Sequence, residues 1–247
     1  MEGTPLMKKI LLFSMFLCVW VFSFFAVSKV DAAEKKKKSS GIRIDFTTSF
    51  KRGKSVSGGW HYKGKPFTKD IDFSIVELDG VKVLKVASRK SSGTILYDLS
   101  TIDLAKYPIM RWKWMAVRLP RGACATNPRK DDQVLAICAG AGRPRTNSVA
   151  FRWETKTKKG RSGYSRYGLG MVQVNWFALR NQEDKLNTWY VEEVDLQAHL
   201  KRLFPRGIPE KDLALSITGN SQYTATDSIG YVEYLEFLPA SEKGKLQ

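Results

Sequence analysis

The chain has 247 residues, 43% hydrophobic and 12% aromatic, with 41 Lys and Arg against 24 Asp and Glu, a net charge of +17. That hydrophobic content excludes a disordered chain, and the length suits one all-β domain with a full core once an N-terminal export segment is set aside. Three cysteines and two histidines exclude a zinc framework.

Residues 1–33 read as a secretory signal. Lys8 and Lys9 precede an uncharged run over 10–27, and Val30 and Ala32 stand at the small-residue positions before a cut, placing cleavage near Ala32. The run is also just long enough to span a bilayer, so an uncleaved anchor is the alternative. Cys18, inside the run, lacks the neighbours of a lipidated cysteine. The expected location is periplasmic or secreted. Membrane contact is confined to the signal segment, if that stays uncleaved, and nucleic acid is not an expected partner. Residues 34–41 form a charged linker that includes Lys35 to Lys38. The domain is expected over 42–240, with a flexible tail over 241–247. The exported part keeps almost all of the positive charge, which suits an anionic polymer or surface as partner; solubility is the plainer reading.

Residues 42–50 open the domain with alternating apolar positions. Residues 51–65 read as a loop around Gly58-Gly59-Trp60-His61. Strands over 71–78 and 81–87 flank an Asp79-Gly80 turn, a hairpin signature. A short strand over 93–99 and a helical turn over 104–107, stopped by Pro108, follow. Met110, Trp112, Trp114 and Ala116 then alternate with Arg111, Lys113, Met115 and Val117. The tryptophans belong in a core, and Arg111 and Lys113 face water or a ligand. A turn-rich loop runs to Asp131-Asp132, before a buried strand over 134–138.

The strand over 148–155 sets Val149, Phe151 and Trp153 against Ala150, Arg152 and Glu154. Residues 156–170 read as a basic loop bearing Tyr164 and Tyr167. The strand over 171–179 sets Val172, Val174 and Trp176 against Gln173 and Asn175, and the strand over 188–194 sets Trp189 against Tyr190 and Glu192. Asp195 caps a helix whose stripe is Leu196, Leu200, Leu203 and Phe204, ended by Pro205 and Gly207. Strands over 213–218 and 231–238 close the chain. About ten short strands and one short helix near the C-terminus predict an all-β antiparallel sandwich.

Arg111, Lys113, Arg152, Glu154, Gln173, Asn175, Tyr190 and Glu192 all sit opposite the tryptophan-bearing faces. If their strands share a sheet, they line a polar groove, and Tyr164, Tyr167 and Trp60 supply aromatic faces for sugar rings. The plainer reading is a solvated sheet face. Asp131 and Asp132 are oxygen ligands suited to Ca2+, or else a turn and a cap at the start of a strand. No other cofactor is expected. Cys124 and Cys138 are candidates for a disulfide, or two separate thiols. Glu154 and Glu192 could serve as an acid and base if about 5–9 Å apart. Arg152 could instead neutralise a substrate carboxylate, with Tyr190 or Tyr164 as the base of a lyase.

Three segments resemble the domain of unknown function 3047 family: 108–137 with Arg111-Trp112-Lys113-Trp114 and Asp131-Asp132, 183–204 with its tryptophan strand and helix, and 213–237 with its aromatic strand. The resemblance implies an exported jelly roll of the galactose-binding or lectin-like kind and supplies no activity. It departs at Thr218 to Tyr223, where an acidic stretch is common, and at Cys124, where an acid is frequent. The function expected is non-catalytic binding of a glycan or anionic envelope polymer outside the cytoplasm. The alternatives are a polysaccharide lyase or hydrolase and a structural envelope protein with a basic surface.

Overall fold

The computed structural model describes residues 41–48, 50, 59–64, 68–143, 145–209 and 211–245. The signal over 1–33 and all of the linker over 34–41 except Gly41 lie outside the described residues. Among the described residues there are thirteen strands: β1 (Ile42–Asp45), β2 (Trp60–Gly64), β3 (Asp72–Leu78), β4 (Val81–Arg89), β5 (Ser92–Asp98), β6 (Ile109–Arg118), β7 (Gln133–Ala141), β8 (Thr146–Trp153), β9 (Ser162–Tyr167), β10 (Val172–Arg180), β11 (Tyr190–Asp195), β12 (Ala214–Asn220) and β13 (Asp227–Leu238). One sheet runs β11-β6-β13-β4-β3, with β1 also on β13; the other runs β2-β5-β12-β7-β8-β10-β9. The molecule is therefore the expected jelly-roll-like sandwich. Among the described strands every pairing is antiparallel except β8 with β10. The chain leaving β8 passes to the sheet edge, forms β9, and returns as β10 between the two.

The hairpin between β3 and β4 turns on Asp79 and Gly80, both at positive φ, the conformation such a two-residue turn requires. Between the sheets, Trp112 and Trp114 from β6 meet Phe151 and Trp153 from β8 at ring separations of 5.7 and 5.5 Å. All four rings are buried. Such aromatic pairs contribute roughly 0.5–1.5 kcal/mol each beyond their area. Helix α1 (Leu196–Leu203) starts at Asp195, whose Oδ1 accepts from the Ala198 amide at 2.8 Å. It buries Leu196 and Leu200 and sets His199 against Phe151 and Phe177.

Two stretches expected as loops contain strands. Trp60 lies on β2, is buried, and packs on Phe46 and Tyr97, so it is core and no platform for a sugar. β9 lies inside the expected basic loop. Arg111 donates to the Glu242 carbonyl at 3.1 Å and the Gly244 amide donates to Glu193 at 2.8 Å, which docks 242–244 on the outer face of β6 and β11. Among the described residues no helix is long and apolar enough to cross a membrane.

Candidate functional site

The expected polar groove does not form, because its strands fall in different sheets. β6 and β11 belong to one sheet, β8 and β10 to the other. Arg111 and Lys113 do face outward, but against acids. Arg111 pairs with Glu193 at 2.6 Å and Glu236 at 3.3 Å, and Lys113 pairs with Glu233 at 2.5 Å. Tyr190 and Glu192 stand beside Trp114 and Trp112 in register and so share the inner face. Glu192 accepts from the Trp114 indole at 3.2 Å and from Arg180 at 2.5 Å, while Tyr190 packs on Trp153. On β10, Asn175 and Phe177 stand beside Val149 and Phe151, so Gln173 and Asn175 take the core side. Trp176 stands beside Ala150 and faces outward with Arg152, the reverse of the expected order.

Arg152 is the centre of a buried polar cluster on that outer face. Its neighbours in register are Ala136 on β7 and Ala178 on β10, side chains small enough to leave the guanidinium room. Nη1 donates to Asp131 at 2.7 Å and lies 3.5 Å from Glu154 Oε1; Nη2 donates to the Tyr167 hydroxyl at 2.8 Å. Tyr167 donates in turn to Asp131 at 2.5 Å, and Ser165 does so at 3.0 Å. Glu154 accepts from Thr157 at 3.1 Å, and Thr157 accepts from the Ala125 amide at 2.9 Å. The 119–131 loop is held over β8 by further bonds, Thr155 to the Pro120 carbonyl and the Lys156 amide to the Ala123 carbonyl.

Burial sets the protonation of this cluster. It pushes the Glu154 carboxyl up to about 7 against the opposing pull of Arg152. It also pushes the Tyr167 phenol up to about 12, since Arg152, which favours the phenolate, is countered by Asp131. Burial opposes the Arg152 charge, but Tyr167, Asp131 and Glu154 outweigh it and drive the guanidinium pKa up. Arg152 Nε and Trp176 Nε1 are buried without a hydrogen-bond partner.

Above the cluster opens a cavity of about 490 Å³. Asp131, Tyr167 and Trp176 line its floor side, Thr126 and Pro128 one wall, and Arg161 to Arg166 another, with Tyr223 reaching in from the 221–226 loop. Tyr164 and Tyr223 are 45% and 38% exposed. Arg166 bonds the Tyr164 hydroxyl at 3.2 Å and lies 5.4 Å from its ring centroid. Arg161, Arg166, Ser162 and Tyr223 also line the cavity and are not among the residues expected from sequence. The basic, tyrosine-bearing stretch over 156–170 is the signal for Arg161, Ser162 and Arg166; nothing in the residue pattern marks Tyr223. A wider hollow of about 1170 Å³ lies at the ends of β5 and β12, lined by Asp98, Asp103, Arg143 and Asp212 among others. It gathers no comparable buried cluster.

Asp131 and Asp132 do not share an ion site. Both Asp131 oxygens take the donors named above. Asp132 is wholly buried and accepts from the Tyr223 amide at 3.1 Å and from the Thr224 amide and hydroxyl, each at 2.7 Å. Its role is to fix the 221–226 loop. Among the described residues no three His, Cys, Asp or Glu side chains gather to hold a metal. The expected disulfide is also absent: Cys124 and Cys138 are free thiols. Cys138 lies on β7 beneath the Ala125–Ala150–Trp176 cluster, where burial pushes its thiol up. Burial would raise the Cys124 thiol too, but hydrogen bonds with Thr126 and Thr157 bring it below its usual value.

The sequence profile of a family described as Protein of unknown function (DUF3047) matches residues 59–236. No curated protein matches. Among solved structures, the family 11 carbohydrate-binding module of the cellulosomal cellulase Lic26A-Cel5E of Clostridium thermocellum is 9% identical, covering 82% of this chain and 96% of its own, with a TM-score of 0.41. The catalytic domain of Humicola grisea Cel12A, in complex with a soaked thio cellotetraose, is 9% identical over 80% and 97%, with a TM-score of 0.42. Winged bean acidic lectin, complexed with methyl-alpha-D-galactose, is 13% identical over 80% and 97%, with a TM-score of 0.38. No ligand is carried over from these distant likenesses.

Proposed function

We propose that this chain, which belongs to the DUF3047 family of proteins of unknown function, binds an acidic glycan or related envelope polymer in the Tyr164–Tyr223 cavity without transforming it. What carries this reading is the character of the described residues that line it. Exposed tyrosine rings offer faces for sugar rings, and Arg161 and Arg166 offer charge-assisted donors. The single carboxylate in the lining, Asp131, is 3% exposed and already taken by Arg152, Ser165 and Tyr167. A ligand with acceptor oxygens and negative charge is favoured; a cationic one is not. The N-terminal segment supports placing this binding outside the cytoplasm.

The chemistry favours binding over turnover. A lyase base needs a pKa near the working pH. Tyr167, beside Arg152, has the right neighbour but holds its proton up to about 12. Glu154, pushed up to about 7, has such a value but is wholly buried and outside the cavity lining, and it is networked with Arg152 and Thr157, apart from Glu192 with Arg180 and Trp114. The test is titration against a panel of neutral and acidic oligosaccharides with product analysis. Saturable binding of acidic members, weakened about tenfold by Tyr164→Ala and leaving the oligosaccharide unchanged, is expected. Failure to bind any member sinks the reading. New unsaturated or reducing ends lost in Tyr167→Phe establish the enzyme instead. Binding that ignores sugar identity and vanishes with salt points to a structural, purely electrostatic role.

A further inference from the structure

Between Asp132 and Glu183 the sequence has nine Arg and Lys and a single acid, Glu154, which is buried. The fold concentrates part of this charge at one end of the β8-β10-β9 edge. The parallel pairing sets Thr146 beside Val172, so both strands start at that end. The turn between β9 and β10 lies there too, and the Thr146 amide donates to the Met171 carbonyl at 2.8 Å. Arg143 and Arg145, just before β8, are both exposed.

The turn is apolar where it meets solvent. Leu169 is wholly exposed, Met171 is 40% exposed and Val172 37%. With Tyr164 they make up four of the six large apolar side chains exposed among the described residues, all within 164–172. Gly168, Leu169 and Gly170 take three successive positive φ angles of 56°, 57° and 85°. A leucine there is strained and loses its apolar surface to water, so neither local conformation nor burial accounts for it. The arrangement is an apolar tip with two exposed arginines at the same end of the sheet, of which Arg143 also pairs with Asp212 at 3.1 Å.

We propose that this end of the sandwich docks on an anionic phospholipid surface, with Leu169 and Met171 entering the interface and Arg143 and Arg145 meeting lipid phosphates. Apolar insertion and basic residues near the surface reinforce one another at such a boundary. A second copy of the chain is the poorer occupant, because it would bring two strongly basic edges together.

The chain from Glu34 onward, which contains the whole compact unit Lys38–Gln247, is tested by sedimentation with vesicles of phosphatidylcholine alone or with about one third phosphatidylglycerol. All three chains compared keep Lys35 to Lys38. The wild type should bind the anionic vesicles and not the zwitterionic ones. Leu169→Ser with Met171→Ser should weaken that binding at least about tenfold while leaving the melting temperature and oligosaccharide binding unchanged. Arg145→Gln should weaken it several-fold and flatten its salt dependence. Unchanged vesicle binding by the double variant overturns the proposal. So does a wild-type dimer in solution that the same double variant turns into a monomer, which would make the tip a self-interface.

Discussion

Arg152 and Asp131 meet at 2.7 Å with both side chains 3% exposed, one of the most deeply buried ion pairs in the described molecule. Taking either partner away strands the other in an apolar setting. Arg152→Met should therefore cost about 3–5 kcal/mol, and Asp131→Asn a comparable amount. The double variant should cost less than the sum, since it strands neither charge, although Glu154 then loses its cationic neighbour. Denaturant midpoints of the four chains measure this coupling. Strict additivity would show that the pair contributes nothing beyond its separate parts.

Glu154 gives the cluster a pH dependence with a defined sign. Its carboxyl moves from an unfolded value of 4.5 up to about 7 in the folded protein. Between those values the folded state holds more protons than the unfolded state. The associated stability is complete below pH 4.5 and is lost as pH rises through about 7, a decline on the order of 3 kcal/mol. Glu154→Gln mimics the protonated form and keeps an acceptor for Thr157. It should be more stable than wild type at pH 8 and close to it at pH 5. Equal slopes of stability against pH for the two chains would contradict this assignment.

Much of the frame can be read from residue pattern. Trp112 and Trp114 alternate with charges and are core; Asp79-Gly80 turns a hairpin; Asp195 caps the helix. β9 is hidden because Ser162 to Tyr167 has no apolar alternation: Gly163, Ser165 and Tyr167 turn toward Trp176 and Asp131, Tyr164 and Arg166 alternate with them, and both sets line the cavity. The faces of β10 were misassigned for a related reason. Its outer side holds a second apolar cluster with Ala125 and Ala150 beneath the 119–131 loop, so apolar residues on one face did not mark the inside. Polarity alone also could not divide Arg111 from Arg152. Each is buried among acids, but the acids that meet Arg111 come from β11 and β13, far away in sequence.

Asp132 links stability to the site. Its three accepted hydrogen bonds hold the start of the loop that carries Tyr223 into the cavity. Asp132→Ala leaves two backbone amides without their acceptor and should cost about 2–4 kcal/mol. Amide exchange should speed up over 221–226, and ligand affinity should fall with it. Asp132→Asn retains one acceptor oxygen and should fall between the two. Unchanged exchange in that loop would show that other contacts hold it.

Gly163 faces Trp176 across the β9–β10 pair. A Cβ at 163 would lie well within contact distance of the indole carbons. The ring cannot easily retreat, because its outward-facing cluster includes Ala125, Ala150 and Val174, and Arg152 lies 5.8 Å from the ring centroid. Gly163→Ala must therefore displace either β9 or the indole, at a cost of about 1–3 kcal/mol. Both line the cavity, so binding of an acidic oligosaccharide should weaken by more than Tyr164→Ala alone produces. Trp176→Phe shortens the ring and should relieve the clash. The pair of substitutions together should recover stability relative to Gly163→Ala, read as a melting temperature. If the double variant is no more stable than Gly163→Ala, the cost lies in the β9 backbone and not in the indole.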